Sequence, residues 1–431
     1  MASIPTADTA SRVSVVPPSR VRLDYLDGLR GLAALYVVLN HTSFRLQQLC
    51  LPQHHAPHLL KKIVDLLHFC VLAYGRYAVA VFIVLSGYCL MLPVVRNEGS
   101  SLPGGIISFV HRRARRIMPP YYAALAISFG VCLAILHFHG SIEPEWFKVV
   151  VPVNTPAVVL SHIFLVHNWT PYIYEIDPPM WSVAVEWQIY FLFPLLLLPL
   201  YRRFGSILMI AGAFCIALLL HFFSHGSLDR AHLWFVGLFG MGMASAALNF
   251  APCLRKSWGQ RLPWFGIAVA AALLLVAVSA VQRESWRYVP ALHWFRLETW
   301  GSDWPLEIIA GFASMALIIY LTQRVILGTQ DQFLLYRLFS SRTAINLGVF
   351  SYSLYLIHDP ILACFLIGVH HLPSVLAVPL MLGVGVPLAV GLAYLFHLAF
   401  EKQFMPVHFR DVEKRLSVSK ASSDSGGKAQ A

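Results

Sequence analysis

Residues Arg22 to Ser43 read RLDYLDGLRGLAALYVVLNHTS, and this stretch decides the fold. From Leu26 to Leu39 it is apolar except for Asp27 and Arg30, and it runs on into Asn40 and His41. An apolar run of this length suggests a membrane span. On an α-helix the interval from Arg30 to His41 is three turns plus about 20°, so both side chains lie on one face, about 16 Å apart along the axis. That is half of a ~30 Å hydrocarbon core. One stripe therefore carries a permanent cation near one surface and an imidazole deep in the bundle. Ionisable groups inside a bilayer are costly and usually face a partner or a watery cavity. An interfacial anchor at Arg30 and a simple helix–helix hydrogen bond at His41 would satisfy the same spacing.

The rest of the chain agrees with a membrane setting. Its 431 residues are 58% hydrophobic and 12% charged, where a soluble domain carries about 25% charged residues. The expectation is an all-α polytopic membrane protein with ten spans, near 26–46, 71–92, 118–138, 180–200, 206–223, 231–249, 264–281, 305–327, 344–369 and 374–400. With the N-terminus inside, Lys and Arg of the inner segments outnumber those of the outer loops by roughly three to one, which places both termini in the cytoplasm. The net charge of +11 sits in these short loops, so it signals orientation rather than nucleic-acid binding. Residues 1–21 and 406–431 are polar and read as disordered cytoplasmic ends around a membrane domain at 22–405, and no cleavable signal peptide is visible. The seven cysteines form no CxxC pair. Cys50 and Cys70 flank the first outer loop and would be available to pair in an oxidising compartment. His54, His55 and His58 in that loop lack a suitably spaced carboxylate or thiol, so they read as solvated and no metal site is expected.

Four further features carry chemistry. The second span, GRYAVAVFIVLSGYCL (Gly75–Leu90), ends in Ser86-Gly87, small residues that allow close approach of a helix or a ligand. Arg76 lies in its outer half with no partner evident from sequence. FVHRRARRIMPPYY (Phe109–Tyr122) puts Arg112, Arg113, Arg115 and Arg116 at the cytoplasmic face. Such a patch either anchors to anionic lipid or grips phosphate, which guanidinium groups bind bidentately. Pro119-Pro120 is expected to start the third span. The outer loop 139–179 holds Trp146, Trp169, Tyr172 and Tyr174, which suit either sugar rings or an interfacial belt. PPMWSVAVEWQIYFLFP (Pro178–Pro194) buries Glu186, and LGVFSYSLYLIHDPIL (Leu347–Leu362) buries His358. Counted from the inner face, His41, Glu186 and His358 fall about 21–22 Å up, at one depth. Asp359 is next to His358 but points about 100° away.

These stretches, in this order, resemble the acyltransferase-3 family of integral membrane acyltransferases over roughly residues 22–405. LDGLRGLAALYVVLNH is similar to the family's first-helix motif, an arginine and a histidine with ten residues between. The Ser86-Gly87 run, the arginine patch, the Trp-Ser…Glu helix and the Ser-Tyr-Ser-Leu-Tyr-Leu-x-His helix resemble the motifs that follow. Ala80 stands where many members carry an acid. The resemblance implies transfer of an acyl group, acetyl by analogy, from cytoplasmic acyl-CoA to a hydroxyl of a cell-envelope or secreted glycan, with lipid-linked glycans included. It implies a multi-pass protein, and the motif variants favour a bacterial inner membrane. Some members carry a fused extracytoplasmic esterase-like domain; the expectation here is that the membrane domain completes the reaction itself.

Within that frame His41 is the expected general base, since imidazole titrates near operating pH. Glu186 is expected to orient it, and His358 to bind acceptor or oxyanion. An acyl-histidine intermediate is the alternative route. Arg30, Ser86, Arg112, Arg113, Arg115 and Arg116 are expected to receive the acyl-CoA. A carrier of a small anionic or glycosidic substrate is the rival class, because buried His, Glu and Arg also mark proton-coupled transporters. The absence of an internal repeat and the one-sided arginine patch argue against it.

Overall fold

A segment in hydrocarbon must satisfy its own backbone groups, and an α-helix does so within one stretch of chain. The computed structural model describes residues 22–51, 56–96, 102–139, 155–254, 257–288 and 304–405, and among these it contains helices and no strand. The long elements are α1 (Tyr25–Leu49), α3 (Gly75–Arg96), α4 (Gly105–His139), α6 (Trp181–Leu192), α7 (Leu198–Phe223), α8 (Phe235–Phe250), α9 (Trp264–Tyr288), α10 (Trp304–Ile326) and α13 (Ser351–Val369). Shorter helices are α2 (His58–Leu67), α5 (Pro156–Ile163), α11 (Leu334–Phe339), α12 (Arg342–Val349), α14 (Ser374–Leu380) and α15 (Val386–Phe396).

Seven helices among the described residues are long and apolar enough to cross a membrane. The ten expected spans nevertheless fall largely on helix, and the difference has three physical sources. α1 carries Asp27, Arg30 and Arg45 and is the interior helix, packed against α3, α12 and α13. In α9 the apolar run ends at Val281, where Gln282, Arg283 and Glu284 follow within the same helix. Two expected spans form the single continuous stretch Pro178–Phe223, which bends at Gly205, where φ is 79°.

Small residues let the interior helices touch backbone to backbone. A β-carbon added to Gly87 on α3 would overlap the Phe239 carbonyl of α8, and one on Gly242 of α8 would overlap the Val84 carbonyl of α3. Gly31 on α1 and Gly348 on α12 make the corresponding contact. Of the Ser86-Gly87 pair, the glycine thus serves helix packing.

Two expectations are corrected. Pro119 and Pro120 lie inside α4, which begins at Gly105, rather than at its start. Each lacks an N–H, so the carbonyls four residues earlier, at Arg115 and Arg116, lose their helical donors. The ninth span is not one helix: Phe350, with φ −112° and ψ 19°, separates α12 from α13. Cys50 and Cys70 are free thiols, the first buried and the second exposed. The expectations for residues 1–21 and 406–431 and for His54, His55 and Trp146 lie outside the described residues.

Candidate active site

His41 projects from α1 toward α13, one turn before Arg45. Its Nδ1 stands 3.1 Å from Nε2 of His358 and 3.1 Å from Oδ1 of Asp359. The protons in this cluster follow from its acceptors. His358 turns its own Nδ1 to the carbonyls of Leu354 (3.1 Å) and Tyr355 (2.9 Å). Carbonyls only accept, so that nitrogen carries hydrogen and Nε2 of the neutral ring holds a lone pair. Nδ1 of His41 then faces two acceptors and must donate. The remaining nitrogen of His41, Nε2, is left with its lone pair, the form a general base requires. Arg45 closes the cluster, with a 2.8 Å ion pair to Asp359 Oδ1, 3.2 Å to the Asp359 carbonyl and 3.1 Å to the His41 carbonyl.

Two cavities meet near this cluster. The first has an empty volume of about 840 Å³. It is lined by Arg30, Arg113 and Arg116, by Ser86 and Cys89 of α3, and by Glu186 and Tyr190 of α6. Arg30 Nη1 pairs with Asp27 at 2.9 Å and Nη2 reaches Cys89 Sγ at 3.5 Å. Ser86 donates to Glu186 Oε1 at 2.7 Å, and the Tyr190 hydroxyl bonds the same oxygen. The second cavity, with an empty volume of about 750 Å³, is lined by His41, Phe44, Arg76, Tyr174 and Trp181 and by Pro178 and Pro179. Here Arg76 has a partner that the sequence did not reveal: Glu307 on α10, fully buried, at 3.0 Å, which also accepts Trp234 Nε1 at 2.5 Å. Behind this cavity, Asp177 is buried and accepts from Ser128 at 2.8 Å.

Of the residues singled out from sequence, His41 and His358 are in contact. Glu186 is not with them; it makes its bonds in the arginine-lined cavity, and the carboxylate against His41 belongs to Asp359. The depth count failed for a definable reason. The turn entering the fourth span, Asp177–Met180, is largely buried, and Pro178 and Pro179 line the same cavity as His41. Glu186 follows about seven residues on, roughly 10 Å deeper. Asp359 diverges by about 100° from His358 on the helix wheel, yet both adjacent side chains reach His41 Nδ1, each at 3.1 Å. Arg45 had a legible signal, since it lies four residues after His41 on the same stripe.

The four arginines divide. Arg113 and Arg116 line the cavity, whereas Arg112 and Arg115 are exposed, and Arg112 is tethered to Ser108 and the Pro103 carbonyl, both at 2.7 Å. Of the loop aromatics, Tyr174 lines the His41 cavity, while Trp169 is exposed and donates to Gln188 at 2.9 Å. His41, His358 and Asp359 present ligand atoms within 4.8 Å of one another. A cation held there would have to displace Arg45 from Asp359 and break the hydrogen bond between the rings, so the donor set fits a proton-handling cluster better than a metal cage.

The model of the acyltransferase-3 family, described as an acyltransferase domain, matches residues 23–398. An O-acetyltransferase, OatA, of Staphylococcus aureus (strain NCTC 8325 / PS 47) is 24% identical over 366 residues, covering 78% of this chain and 50% of the relative. The acyltransferase MdmB of Streptomyces mycarofaciens is 29% identical over 183 residues, covering 42% of this chain and 40% of that one. The chain spans about half the length of the curated relatives it matches. No solved structure matches. The cavity with its arginines, the histidine eleven residues after Arg30 and the match over nearly the whole chain agree: the protein belongs to the acyltransferase-3 family of integral membrane acyltransferases.

Proposed function

We propose that this protein is a membrane O-acyltransferase that moves an acyl group, acetyl by analogy with its relatives, from cytoplasmic acyl-CoA to a hydroxyl on an extracytoplasmic acceptor. The observation that carries the reading is the pairing of two cavities: one lined by three arginines, the other by a histidine whose free nitrogen is a base. The positive-inside rule puts the arginine side, and both termini, in the cytoplasm, with residues 22–405 as the membrane domain. Arg30, Arg113 and Arg116 then meet the phosphates of the donor, and its thioester arm extends toward His41.

In the proposed reaction His41 Nε2 takes the proton of the acceptor hydroxyl. The oxygen bonds to the acyl carbon and the carbon–sulfur bond breaks. The thiolate leaves and recovers the proton from the imidazolium. Asp359 favours the charged ring while it lasts, as a buried carboxylate does beside a catalytic histidine. Phe44, Tyr174 and Trp181 line the acceptor side, and aromatic side chains of this kind suit sugar rings, which supports a glycan of the cell envelope or a secreted one, lipid-linked or free. The names of the relatives favour a bacterial inner membrane.

The test uses the protein in its native membranes with acetyl-CoA. Wild type should release thiol and His41→Ala should not. Full activity in His41→Ala would refute the base, and absence of thiol release from wild type would leave a carrier as the better reading. Mass spectrometry of envelope glycans with and without the protein would then identify the acceptor.

A further inference from the structure

Val79 on α3 and Tyr355 on α13 line both cavities, and they are the residues the two linings share. Both are nearly inaccessible, Val79 at 5% and Tyr355 at 7% exposure. The Tyr355 ring stands edge-on to Phe82, with centroids 5.8 Å apart. Its hydroxyl donates to the Pro179 carbonyl at 3.0 Å and shares a 2.7 Å hydrogen bond with Ser182 Oγ. Pro179 lines the His41 cavity and Ser182 the arginine cavity, so the hydroxyl is pinned at the boundary between them. Tyr355 also lies one turn before His358, with the two rings 6.1 Å apart between centroids. The wall therefore stands directly beneath the proton-handling cluster. Arg30 and His41, on opposite sides of it, are separated by about 16 Å of helix.

We infer that Tyr355 is the gate between the donor and acceptor cavities, and that it decides whether the acyl group goes to an alcohol or to water. The inference rests on the acyl-transfer reading and adds a specificity-determining residue to it. With the tyrosine latched, a thioester in the arginine cavity is screened from water on the His41 side. When the arm advances, the ring swings away from Pro179 and Ser182, and the passage is filled by the arm itself. Exclusion of water from a reactive acyl group is the general reason for such closure. If the wall is removed, water can take the place of the acceptor. Its oxygen bonds the acyl carbon, the carbon–sulfur bond breaks, and one proton ends on the coenzyme sulfur. The products are a free carboxylic acid and a thiol.

The experiment measures thiol and acetate released from acetyl-CoA by the purified full-length protein in lipid nanodiscs with no acceptor added. Wild type is expected to be slow, and Tyr355→Ala to be faster by at least about tenfold, as expected when water gains access to a screened thioester. Adding His41→Ala to that variant should return the rate to background, because the hydrolysis uses the same base. Tyr355→Phe keeps the ring and loses both hydrogen bonds, so it should fall between; it serves if the alanine variant does not fold. A tyrosine that only filled space would lower activity or leave it unchanged, and acceptor-free release at the wild-type rate in both variants would overturn the gate. Wild type in its native membranes is the parallel arm: if it releases no thiol there, the acyl-transfer reading fails and takes the gate with it, whereas release there with no gain in the variants sinks the gate alone.

Discussion

Asp359→Asn isolates the carboxylate that faces His41. The exchange conserves size, removes the charge and presents an amide N–H to His41 Nδ1, which favours the ring tautomer with hydrogen on Nε2, the nitrogen that must stay free. In the native arrangement the carboxylate oxygen lies 3.1 Å from His41 Nδ1. At an effective dielectric of about 20, a full charge on the ring would gain about 5 kcal/mol from it. Arg45, 2.8 Å from the same oxygen, takes part of that back. A net loss of about 3–4 kcal/mol in the transition state corresponds to a fall in kcat of several hundred-fold. The arginines proposed to bind the donor line the other cavity, so KM for acetyl-CoA should change by less than about threefold, the signature of an interaction made only in the transition state. Because the exchange also leaves Arg45 buried without its anion, which costs about 3–5 kcal/mol of stability, Arg45→Gln/Asp359→Asn is needed alongside. The pair should recover the thermal midpoint without recovering kcat. Thiol release measured on both variants decides the matter: a kcat within tenfold of wild type would show that Asp359 holds the helices together and does not assist the base.

Three other outcomes follow from the geometry. Arg113→Ala and Arg116→Ala should each raise KM for acetyl-CoA about tenfold, the usual worth of a charge-assisted contact to phosphate, whereas Arg112→Ala and Arg115→Ala should change it less than about twofold; equal effects at all four would mean a diffuse surface field. Gly87→Val drives a side chain into the Phe239 carbonyl and should cost about 3 kcal/mol or more, read as a lower thermal midpoint and loss of a monodisperse peak, whereas Gly212→Ala, with open space around it, should be neutral or slightly stabilising. His162 and His167, in the segment ahead of the fourth span, are buried and stacked with centroids 4.0 Å apart. Burial, reinforced by His162, pushes the His167 pKa down to about 3, and burial also lowers that of His162. Both stay neutral in the fold and protonate more easily when unfolded, so stability is full above about pH 6.5 and falls as the pH drops below it, by about 2 kcal/mol from His167 alone at pH 5. Thermal midpoints between pH 8 and 5 should decline more steeply for wild type than for His167→Gln.

The parts of this molecule legible from sequence are those set by local periodicity. Apolar runs located the helices, and an eleven-residue interval put Arg30 and His41 on one stripe of α1, which the structure shows as an unbroken helix. What escaped depends on where chain segments enter the bundle. A count from the membrane surface sets Glu186 beside His41, while the first turn of the fourth span is largely buried at Asp177–Met180. The angle of about 100° between Asp359 and His358 says nothing of where α1 packs, and His41 reaches both. Arg76 looked unpartnered because Glu307 lies 231 positions later, on a helix whose neighbours no local pattern specifies.

The relocation of Glu186 changes the chemistry assigned to each side of the wall. Donor and product of the proposed reaction carry the same phosphates, so the arginines bind both alike, and tighter phosphate binding would lower KM without raising kcat. Product must still leave. A carboxylate among Arg30, Arg113 and Arg116, fixed by Ser86 and Tyr190, moderates the positive potential of that cavity. On the proposed reading Glu186 therefore acts on donor affinity and release, and proton transfer belongs to His41, His358 and Asp359 on the far side of Tyr355. Separating the two jobs lets the phosphate site stay open to the arginine side while the base sits in a cavity whose polar groups are held by buried partners, Asp359 by Arg45 and Arg76 by Glu307. Fixed dipoles and ion pairs of this kind need little reorganisation when charge develops, which is the property that electrostatic catalysis draws on.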